Sequence, residues 1–147
     1  MDPREPVKQF IKWRQAGFRI RKVGHDRKFA RDYYTEMKRQ KFTVIDQPQL
    51  YLQKSEGFRY IEHKALCGCL YYFHAEPYEY CVGNVRAQEK TDDAVQYEKL
   101  ADNARIDIFD ASVFGTVRML IESEKMSAAA QWFGQNVPES GTNPRKE

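Results

Sequence analysis

Three cysteines in 147 residues are too few, and odd in number, for a disulfide framework, which points to a reducing compartment. No apolar run approaches the ~20 residues of a membrane-spanning helix, so no membrane partner is expected. The first ten residues, MDPREPVKQF, are polar and lack the apolar stretch of a secretory leader. There is no G-x-x-x-x-G-K-[ST] phosphate loop and no internal repeat.

What is present suits one modest domain: 41% hydrophobic and 31% charged residues. The net charge of +3 conceals an asymmetry. Residues 1–41 carry 13 Lys+Arg against 5 Asp+Glu, and the rest carries 11 against 16. A basic portion beside an acidic one suggests a polyanionic partner with carboxylate chemistry close by, although a solvated helix face produces the same counts.

The stretch 18–46 organises the chain. Phe18 and Ile20 alternate with Arg19 and Arg21 as in a strand. Asp26 follows Gly24. From Phe29, with Ala30, Tyr33 and Met37, apolar residues recur at helical spacing, and FTVID (42–46) supplies a second β-rich run. The pattern predicts a βαβ unit, and ligands of open α/β sheets collect beyond the C-terminal ends of the strands. Around this unit the sequence predicts a helix ending at Gly17, a helix over about 50–66 ended by Gly68, and a short helix opened by Pro77. A hairpin over 84–100 turns at KTDD, and a final helix carries Ile106, Phe109, Val113, Val117 and Leu120. The expected division is a domain over 1–125 and a disordered tail over 126–147.

Three segments carry a resemblance: GFRIRKVGHDRKFARDYYTEMKRQKFTVI, LYYFHAEPYEYCVGNV and KLADNARIDIFDA. In order and spacing they resemble the C-terminal nuclease part of phage terminase large subunits, which package and cut viral DNA. The resemblance implies an RNase H-like α/β fold, here partial: a βαβ sheet flanked by helices, with a small hairpin. It implies a metal-dependent endonuclease acting on double-stranded DNA in the host cytoplasm, with two Mg²⁺ or Mn²⁺ ions. Further implied partners are a terminase ATPase half, the small terminase subunit or the portal. Asp26 and Asp107 are the implied catalytic and metal-binding residues, and Asp110 is the nearby substitute ligand. His25, His74 and Asn84 are implied neighbours of the site. The family's first metal aspartate, on an opening strand, has no counterpart, because Asp2 precedes a helix. The chain therefore reads as the rear portion of a nuclease domain: a fragment, a split subunit, or a catalytically incomplete module that docks on a partner or on DNA.

The chemistry suits these residue types. Hard divalent cations take oxygen ligands, and two of them can clamp both oxygens of a phosphodiester displacement. Arg19, Arg21, Lys22, Arg27, Lys28 and Arg31 are candidates for sequence-independent phosphate contacts. Plainer readings exist for each acid. Asp26 also fits a helix N-cap, which pattern alone favours, and Asp107 also fits a first-turn partner of the helix dipole. Asp110 fits a solvated face, and His74 fits a polar loop. Cys67, Cys69, His74 and Cys81 lack the usual C-x₂-C zinc spacing.

Overall fold

A computed structural model describes residues 2, 4–26 and 31–135. Among these the chain is mixed α/β, with five helices and two two-stranded sheets. Helix α1 (Arg4–Gln15) leads to strand β1 (Val23–His25), helix α2 (Arg31–Arg39) and strand β2 (Val44–Asp46). Helices α3 (Tyr51–Leu66) and α4 (Glu76–Gly83), strands β3 (Val85–Glu89) and β4 (Val95–Lys99), and the long helix α5 (Asp107–Gln135) follow.

The two glycine stops act as expected. Gly17 and Gly68 have φ of +93° and +65°, the left-handed conformation that lets a chain turn off the end of a helix. In each case the next amide donates back into the last turn: Phe18 to Trp13 O at 3.0 Å, Cys69 to Lys64 O at 2.8 Å.

β1 and β2 pair in parallel around α2, as the βαβ reading requires, with Val23, Gly24 and His25 opposite Val44, Ile45 and Asp46. The first strand lies later than its alternation suggested. Residues 18–22 are irregular and pairing starts at Val23, whose amide donates to Thr43 O at 2.9 Å. Ile20 still packs inward against the Val7, Met37 and Phe42 cluster, while Phe18 is exposed. Of the two alternating apolar residues only Ile20 therefore faces the core, and neither lies in a paired strand. Residues Phe29 and Ala30, expected to start α2, lie outside the described residues.

A second, larger cluster joins α3, α4 and α5 through Ile61, Cys81, Phe109, Val113 and Val117. Gly57 allows α3 to approach α5: an added Cβ would lie 2.8 Å from Val117 Cγ2 and 3.0 Å from Val113 O. The hairpin is hooked to α3 by Ser55, whose buried hydroxyl accepts the Val95 amide at 2.7 Å. α5 runs past the expected tail boundary at 125. The stretch MSAAAQ has strong helix propensity from its alanines and extends the helix to Gln135. Residues 136–147 of the expected tail lie outside the described residues. No described helix is long and apolar enough to cross a membrane.

The two clusters meet through a polar joint. Gln47, 2% exposed, donates from Nε2 to Phe114 O at 2.8 Å and accepts from Arg118 Nε at 2.9 Å. Gly24 leaves room for it, since a Cβ there would lie 2.6 Å from Gln47 Oε1. These contacts lay β1 along α5.

Candidate functional site

Beyond the C-terminal ends of β1 and β2, four polar side chains form a continuous chain. Asp26 directly follows β1, and its Oδ2 accepts from Gln49 Nε2 at 2.9 Å. Gln49 Oε1 accepts from Lys54 Nζ at 3.0 Å, and Lys54 Nζ lies 2.7 Å from Asp110 Oδ1. Asp110, in the first turn of α5, also accepts a hydrogen bond from the Tyr97 hydroxyl on β4. Burial first, and the Asp110 carboxylate second, push the Tyr97 hydroxyl well above its usual range, so it is a donor at every ordinary pH. Beside this chain lies a cleft of about 220 Å³ lined by Gln49, Tyr51, Lys54, Val95, Gln96 and Tyr97.

Asp107 is placed differently. It begins α5, one turn before Asp110, but its carboxylate is 74% exposed and its nearest cation is Arg105 at 3.9 Å. Among the described residues no three His, Cys, Asp or Glu form a group able to hold a metal ion. Asp26, Asp107 and Asp110 are therefore not gathered as one three-carboxylate ligand set, because Asp110 turns toward Lys54 and Tyr97 while Asp107 faces solvent. Carboxylate oxygens are the donor type that hard cations such as Mg²⁺ or Mn²⁺ take, but among the described residues too few converge to hold one. Their number falls short of a closed two-ion site.

The expected neighbours separate into distinct roles. His25 is 6% exposed, with Tyr33 and Tyr34 ring centroids at 5.6 and 5.5 Å. Neither of its ring nitrogens has a hydrogen-bond partner among the described residues, and Asp46 Oδ1 lies 4.0 Å from Nδ1. Asn84 caps α4, and its Nδ2 donates to Arg105 O at 3.1 Å, pinning the segment that delivers Asp107. His74 is exposed and pairs with Glu79 at 2.7 Å, on a loop whose Phe73 is 97% exposed. Cys81 is buried in the larger core, and Cys67 and Cys69 are exposed past the end of α3.

Among the described residues, the basic candidates differ in their surroundings. Lys22 is ion-paired with Glu122, and Glu122 also accepts from Arg118 Nη1 at 3.1 Å. Those contacts hold the Glu122 carboxyl below its usual range, Lys22 being the larger cause. Lys22 therefore meets α5 at Glu122, whereas Asp26 is tied to α5 at Asp110. Between those two residues the helix rises ~18 Å. Arg19 and Arg21, just before Lys22, are exposed and carry no ion pair among the described residues. Arg31 is exposed at the start of α2. Arg27 and Lys28 lie outside the described residues.

Gln49, Lys54 and Tyr97 were not legible as site residues. Gln49 precedes the helix expected over about 50–66, Lys54 falls within that helix and Tyr97 within the hairpin expected over 84–100. Their only signal is three-dimensional. Comparison of the chain with protein families, curated proteins and solved structures finds no match.

Proposed function

We propose that this chain is a DNA-processing module of the terminase nuclease type, the rear portion of an RNase H-like, metal-dependent endonuclease that cuts double-stranded DNA during viral genome packaging. The observation that carries the reading is the Asp26–Gln49–Lys54–Asp110 chain. It ties the end of a parallel strand to the first turn of α5, the turn that also carries Asp107. Asp26 and Asp107 offer oxygen ligands, and Arg19 and Arg21 hold phosphates some 18 Å along α5, about five phosphate steps of one DNA strand. Bound divalent cations supply the charge that steadies the attacking and leaving oxygens. Incubating supercoiled plasmid with the chain and Mn²⁺, beside Asp107→Ala, tests this. Nicking by the native chain, lost in the variant, supports the reading, and equal cleavage by both removes Asp107 from it.

A second reading is favoured by the absence of three converging ligands among the described residues. In it the chain binds DNA and docks on a partner that contributes a further acidic side chain. Salt-sensitive retardation of a DNA duplex, without cleavage under Mg²⁺ or Mn²⁺, is the result expected of that module.

A further inference from the structure

Between the irregular segment 18–22 and one face of α5 lies a cleft of about 560 Å³. Its cations are Arg19, Arg21, Lys22 and Arg118, and its one carboxylate is Glu122. That carboxylate is engaged on two sides, by the Lys22 ammonium and by Arg118 Nη1 at 3.1 Å. Arg118 is held further by Gln47, which accepts from its Nε at 2.9 Å. Arg19 and Arg21 are left exposed, with no ion pair among the described residues. The cleft therefore keeps positive charge that its own carboxylate does not balance, which suits an anion.

The rest of the wall is apolar. Met119 and Met126, seven positions apart on one face of α5, line the same cleft and are 45% and 61% exposed. A second cleft, of about 460 Å³, shares Arg19, Ile20 and Arg21 and is walled by Phe18, whose ring is 65% exposed. Phosphates alone would need only the arginines. In a duplex the base faces are stacked inside, so duplex DNA would leave Phe18 and both methionines facing water. A single strand offers phosphates to the arginines and unpaired base faces to the apolar walls.

We propose that segment 18–22 and α5 form a groove for single-stranded DNA, with phosphates on Arg19 and Arg21, one base on Phe18 and the next against Met119 and Met126. This rests on the reading above that these arginines meet DNA, and it adds the form of DNA they meet. The groove reads no sequence, because every base presents a π-face and the methionine side chains adapt to any of them. The strand it takes is one freed from its complement, as at a frayed or cut end.

Fluorescence anisotropy tests this, with the full chain titrated into a labelled oligothymidylate strand or a labelled duplex of equal length, in metal-free buffer at one ionic strength. Phe18→Ala is expected to weaken single-strand binding roughly tenfold, about the worth of one stacked base, and to leave duplex affinity unchanged. Phe18→Trp, which keeps a stacking face, keeps the native affinity. Met119→Ala combined with Met126→Ala acts in the same direction as Phe18→Ala, and Arg19→Ala combined with Arg21→Ala weakens both forms. Should the methionine pair unfold the protein, judged by near-ultraviolet circular dichroism, Met126→Gln alone carries its expectation. Native binding to the duplex alone overturns the inference and leaves the phosphate contacts of the proposed function in place. So does a Phe18→Ala variant that weakens both forms equally or neither. Absence of binding to either form by the native chain overturns both this inference and the DNA reading beneath it.

Discussion

The two ends of the molecule are built differently. The βαβ end, with α1, buries three apolar side chains, Val7, Met37 and Phe42, and presents an excess of positive charge. The end made of α3, α4, the hairpin and α5 buries five residues in one cluster, backed by Phe58, Leu70, Val85, Tyr97 and Ile121, and is net acidic. Apolar burial gives stability without direction. The joint between the ends is instead a set of directed hydrogen bonds through Gln47, Gly24 and Arg118. The candidate site lies at this seam, with Asp26 supplied by one end and Lys54, Tyr97 and Asp110 by the other. Its geometry is therefore only as firm as the joint.

The sharpest way to break the comparison is to hollow out each core in turn. Phe109→Ala should cost ~3–5 kcal/mol and Met37→Ala ~2–5 kcal/mol in denaturant unfolding. The informative part is where protection is lost. Hydrogen exchange of Met37→Ala should open α1 and α2 while α3 and α5 stay protected. Uniform loss would show a single cooperative unit in place of two ends. Next in size, Gln47→Ala should cost ~1–3 kcal/mol, because it leaves Phe114 O without its side-chain donor and Arg118 without its acceptor. Exchange should then rise at β1 and β2 before either core responds.

Two smaller effects sharpen the electrostatic side. Replacing Arg19 and Arg21 together by alanine should weaken duplex binding and reduce the slope of log affinity against log salt by ~2, about 0.9 per lost phosphate contact. An unchanged slope would exclude them from the DNA surface. Glu122 has its folded-state pKa depressed, chiefly by Lys22 and next by Arg118. Its contribution is therefore present above the ordinary carboxylate range and is lost as pH falls through the depressed value. Acid titration followed by exchange at residues 20–23 should show this segment loosening from α5, and Glu122→Gln should show it loose already at neutral pH.

Much of the fold was written in local patterns. Helical spacing marked α3 and α5, Gly17 and Gly68 marked stops, and the polar KTDD turn marked the hairpin. What failed to show depends on side chains meeting across the fold. Nothing near Val23 says that pairing begins there, because that is decided by where β2 runs. Nothing in the glutamines at 47 and 49 says that one is buried against α5 and the other bridges Asp26 to Lys54. Asp110 read as solvated because its partners, Lys54 and Tyr97, come from 56 and 13 positions upstream. Asp26 and the first turn of α5 were singled out in the sequence by resemblance to a family's order of motifs, whereas the hydrogen-bond chain between them is visible only in the structure.

The claim that matters most is that Asp26 and the first turn of α5 act on one ligand. Adding substoichiometric Mn²⁺ to the ¹⁵N-labelled chain reads this directly, through paramagnetic broadening of nearby amide signals. Selective broadening at Asp26 together with Asp107 and Asp110, leaving α1 sharp, is the expected result. Broadening at one of the two places without the other, or at neither, would contradict it.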